Sequence, residues 1–156
     1  MKILISTAFD APKNGTVLIP ILKNTSFAAT IETIAAVFGV PSSRLATDFK
    51  GDAKELVGFY ADSTRICLVG LGEKPTNADI IAVFRSVSVS QKSRFNGGAI
   101  ALDFIHSNLD SSLSAKDAEG RLSAIYAVVN GFALGIYRVA LYKTEEIGRA
   151  SCRERV

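Results

Sequence analysis

The amino-acid sequence predicts an α/β fold, a three-layer α/β/α sandwich with a mixed sheet. Two observations carry that prediction. Short runs rich in β-branched residues alternate with helical stripes, in the order β-β-α-β-β-α-β-α, which implies a largely parallel or mixed sheet with helices on its faces. Composition supplies the second: 48% of the 156 residues are hydrophobic and 21% are charged, enough to bury one core and too apolar for disorder.

The elements follow in order. Ile3–Ser6 and Thr16–Leu22 read as strands, separated by the turn-forming Asp10-Ala11-Pro12-Lys13-Asn14-Gly15. Pro20 inside the second predicts an edge position or a bulge. Phe27, Ile31, Ile34 and Phe38 recur at helical spacing, and Gly39 and Pro41 end that helix. Polar, loop-like sequence follows through Lys50-Gly51-Asp52. Two more strands, Glu55–Tyr60 and Arg65–Gly70, flank Ala61-Asp62-Ser63-Thr64. Thr76-Asn77-Ala78-Asp79 fits a capping box, and the helix it opens carries Ile80, Phe84, Val87 and Gln91 on one face. Asn96-Gly97-Gly98 stops it before a short strand, Ala99–Ile105. A second box, Ser114-Ala115-Lys116-Asp117, opens a helix about six turns long, whose predicted buried face is Leu122, Ile125, Val129, Phe132, Ile136 and Val139.

The last ten residues stand apart. Ile147-Gly148-Arg149-Ala150-Ser151-Cys152-Arg153-Glu154-Arg155-Val156 back-translates, codon for codon, to a common sequencing-library adapter. Residues 147–156 are therefore read as a non-native processing scar and residues 1–146 as one domain. Removing three Arg and one Glu from 18 basic and 15 acidic residues leaves 15 and 14, a net charge of +1 instead of +3. So small a charge gives no basis for binding nucleic acid or an acidic membrane surface. The longest uncharged stretch, Leu122–Tyr137, is broken by Ser123, Asn130 and two glycines and is too short for a span. Met1–Thr7 holds too short an apolar run for a signal peptide, so a cytoplasmic protein is expected. Cys67, within Ile66-Cys67-Leu68-Val69, reads as a small buried hydrophobe, not a nucleophile.

Candidate chemistry is sparse. Gly70-Leu71-Gly72 lies between a strand and a helix but lacks the third glycine of a dinucleotide fingerprint, so it reads as a turn needing positive φ. Asn96-Gly97-Gly98 precedes a strand and offers no helix N-terminus to an anion. His106 is the sole histidine and has no partner in a nucleophile or metal motif. Asp103, Asp110, Asp117 and Glu119 show no spacing that would place two of them together in a cleft. Asp117-Ala118-Glu119-Gly120-Arg121-Leu122 resembles the metal-binding stretch of leucyl aminopeptidases, but its leading Asn-Thr is replaced by Ala115-Lys116. No upstream segment supplies the other ligands, and the acidic pair falls where a helix N-terminus favours it.

Other residues carry a resemblance to that same family. Gly131-Phe132-Ala133-Leu134-Gly135-Ile136-Tyr137-Arg138-Val139-Ala140-Leu141-Tyr142-Lys143 resembles the G-x-x-L-G-x-Y-R-F-x-x-Y-K stretch that ends the N-terminal domain of leucyl aminopeptidases. Asp48-Phe49-Lys50-Gly51 and Arg65-Ile66-Cys67-Leu68-Val69-Gly70-Leu71-Gly72 resemble that domain's D-F-x-G and R-x-x-L-V-G-L-G segments, in the same order. Val139 stands where Phe is usual. The resemblance implies a macro-domain-like N-terminal domain, followed in the family by a catalytic domain that holds two divalent ions, zinc, manganese or magnesium. Whole family members are hexameric cytoplasmic enzymes in which metal-activated water cleaves the first peptide bond of a peptide. None of the family's metal or catalytic residues maps onto this chain, so it is expected to bind no cofactor and to catalyse nothing itself. Tyr137, Arg138, Tyr142 and Lys143 are the residues expected to contact the catalytic domain. The alternative is a free-standing macro-like module for ADP-ribose or a related nucleotide, with Gly70-Leu71-Gly72 facing the phosphates. Some family members bind DNA, and the near-neutral charge argues against that here.

Overall fold

A computed structural model describes residues 14–91, 98–101 and 118–136. Its elements are β1 (Thr16–Leu22), α1 (Phe27–Phe38), α2 (Ser42–Asp48), β2 (Leu56–Ala61), β3 (Thr64–Gly72), α3 (Asn77–Ser90), β4 (Ala99–Ile100) and α4 (Ala118–Ile136). The strands form a mixed sheet in the order β2-β3-β1-β4. β1 runs parallel to β3 and β4, with Thr16 opposite Arg65 and Val17 opposite Ala99, and β2 is antiparallel to β3. The α/β/α prediction holds.

Side chains alternate across the two central strands, and each set finds its own helices. Val17, Ile19 and Ile21 of β1 and Ile66 and Leu68 of β3 join Ile31, Ile34 and Ala35 of α1 and Leu45 of α2 in one core. Leu18, Leu22, Cys67, Val69 and Leu71 point the other way, to Ile80, Val83, Phe84 and Val87 of α3 and Ala124, Ala127, Val128 and Phe132 of α4. A strand covered on both faces reads as an unbroken apolar run, which is why β1 is buried along its whole length.

Local signals set several boundaries. Gly39 ends α1 in the left-handed region (φ 65°) and its N–H donates to the Ala35 carbonyl. The capping box at α3 forms as predicted: the Thr76 hydroxyl accepts from the Asp79 N–H (3.3 Å) and the Asp79 carboxylate accepts from the Thr76 N–H (2.9 Å). Ala61 and Thr64 close the β2–β3 hairpin over a two-residue turn in which Asp62 takes φ 51°.

Three expectations need correction. The stretch before Gly51 contains α2 instead of a continuous loop: Pro41 precedes it, and Leu45 is its one buried residue, too few to show a period. Pro20 lies in an interior strand, with the bulge between Ile21 and Leu22. The Ala101 N–H donates to the Leu18 carbonyl (2.9 Å), so Leu18 faces β4. Pro20, two residues on, faces the same way and has no N–H to give, which the sheet tolerates because the described β4 pairs only with Val17 and Leu18. The third correction concerns α4. Its buried residues are Ala124, Ala127, Val128, Gly131, Phe132 and Gly135, not the predicted stripe. Phe132 is common to both faces, Leu122 is 65% exposed, and Ile125, Val129 and Ile136 are half-buried. The small residues win because they let the α3 and α4 backbones come close. A Cβ at Gly131 would sit 2.5 Å from the Ile81 carbonyl oxygen, and one at Gly135 would strike Ser88 Oγ.

The expected strand Ile3–Ser6, the second capping box, residues 102–105 of the expected strand Ala99–Ile105, and Val139 lie outside the described residues. Among those described, no helix is long and apolar enough to cross a membrane.

Candidate functional site

Parallel strands leave a crevice outside their carboxyl ends, where α/β folds place ligands. Here that crevice is a cleft of about 260 Å³ beyond the end of β3, lined in part by Ala53, Lys54, Gly72, Glu73, Lys74 and Asp79. Its floor is built by two of the glycine-bearing segments singled out above. The Gly72 N–H donates to the Gly51 carbonyl (3.1 Å), the Gly70 N–H to Glu55 (2.8 Å) and the Lys54 N–H to Gly70 (3.0 Å). A Cβ at Gly70 would collide with the Asp52 carbonyl, so glycine is required there by the close passage of a second backbone. Gly72 takes φ 83°, the positive φ expected of this turn.

The loop from Lys50 to Glu55 is held by its own polar groups. The Glu55 carboxylate accepts from the backbone N–H of Lys50 (3.0 Å) and of Asp52 (3.0 Å). Lys23 Nζ lies 2.7 Å from Asp52 Oδ1, and that hydrogen bond, with the charge behind it, raises the lysine above its ordinary value. Beneath the loop, Phe49 is fully buried and stacks on Phe27 with ring centroids 6.0 Å apart.

Charge decides what the cleft can accept. Hydrogen bonds from the Thr76 hydroxyl and the Thr76 backbone hold the Asp79 carboxyl below its usual range, so the start of α3 already carries a fixed anion. Glu73 adds a second. The N–H groups of Gly70 and Gly72 are engaged within the fold, so they are not the donors that would meet a phosphate placed here, and Asp79 and Glu73 put two carboxylates beside it. Lys54 and Lys74 are the cationic side chains of the lining.

The remaining candidates divide between core and undescribed chain. Cys67 is fully buried beneath α3 and α4, as a small hydrophobe would be. Tyr137, Arg138, Tyr142, Lys143, His106, Asp103, Asp110 and Asp117 lie outside the described residues, and Glu119 is placed only as part of the α4 backbone. Among the described residues, no group of three or more His, Cys, Asp or Glu side chains could hold a metal ion. Those residues do not fit the two-ion centre of the aminopeptidase family.

A mutant of tomato leucine aminopeptidase shares this fold. The match has a TM-score of 0.57 and 17% sequence identity, and covers 88% of this chain but 31% of that protein. At that identity the likeness is one of fold. No protein-family model matches the sequence, and no curated protein matches it. The chain thus spans about a third of the solved protein it resembles.

The structure also places the resemblance motifs. Asp48-Phe49-Lys50-Gly51 and Arg65–Gly72 meet at the end of the sheet through the Gly72–Gly51 hydrogen bond. Gly131 and Gly135 seat α4 on α3. Within the described residues, each motif serves packing.

Proposed function

We propose that this chain is the non-catalytic N-terminal domain of a metal-dependent leucyl aminopeptidase, serving assembly and interdomain packing. The observation that carries the reading is the fold match, which takes in most of this chain and less than a third of the aminopeptidase, and which agrees with the ordered motifs. On this reading the peptide-cleaving activity, its two divalent ions and the hexamer belong to the whole parent protein. Tyr137, Arg138, Tyr142 and Lys143 are the proposed contact with its catalytic domain. The ADP-ribose alternative needs donors from Gly70-Leu71-Gly72, and the Gly70 and Gly72 N–H groups are already bonded to backbone carbonyls.

Two measurements test the proposal. The source DNA is read past the Glu146 codon, where the frame is expected to continue into a catalytic domain containing an N-T-D-A-E-G-R-L segment. In parallel, the purified chain is assayed on leucine anilides with zinc, manganese or magnesium, and no turnover is expected. A native stop codon at that point, or metal-dependent turnover, would sink it.

A further inference from the structure

We draw no further inference here: the strongest candidate, the exposed apolar row of Leu122, Tyr126 and Leu134 along α4, carries nothing because nothing in the structure shows what covers it.

Discussion

Asp79 fixes the start of α3 through reciprocal hydrogen bonds with Thr76, and those bonds exist in full only with the ionised carboxylate. Its folded pKa lies below its unfolded one, so its contribution is complete above the ordinary carboxylate pKa and is lost as pH falls through the lower, folded value. Denaturant midpoints of the wild type and Asp79→Asn are therefore expected to converge as pH is lowered below about 4 and to separate above it. Parallel curves across that range would remove the assignment. This capping box was legible because Thr and Asp three residues apart before an apolar run are a local signal. Gly70 was not legible in the same way. Its letter fits a turn, whereas the reason for it is the Asp52 carbonyl, which another stretch of chain brings alongside.

At the level of the element, α4 shows how a periodic pattern can be read around the wrong side. Its sequence is apolar on nearly every face, so spacing alone selected the large residues Leu122, Ile125, Val129 and Ile136. Close approach to α3 selected Ala124, Ala127, Gly131 and Gly135 instead. Gly131→Ala is expected to destabilise the fold by about 1–3 kcal/mol, because the Ile81 backbone cannot move aside as a side chain could. Leu122→Ala, at an exposed position, is expected to stay within about 0.5 kcal/mol of wild type. Chemical denaturation of both variants separates the two faces, and the reverse ranking would restore the stripe predicted from the sequence. α2 escaped notice for the opposite reason: seven residues with one buried leucine leave no pattern to find.

For the whole molecule, the alternation of β1 and β3 ties two cores to a single pair of strands. Neither helical layer can leave without exposing one face of the same backbone, so the layers are expected to unfold together. In a Cys152→Ser variant, Cys67 is the one remaining thiol and lies at 0% exposure beneath α3 and α4. Its reaction with a thiol reagent is expected to share one denaturant midpoint with the loss of helical dichroism, and earlier labelling would mean that the α3–α4 layer opens separately. The layered class could be read from the order of strands and helices, since that order is written in local periodicity. The cleft could not, because it is made by backbones that meet only after folding. The glycines of two of the three motifs have a consequence for inheritance. Gly70, Gly131 and Gly135 record how near two stretches of main chain pass, so such letters persist for as long as the spacing between layers persists. They report on the spacing of the layers, and they would read the same in a chain of this fold put to another use.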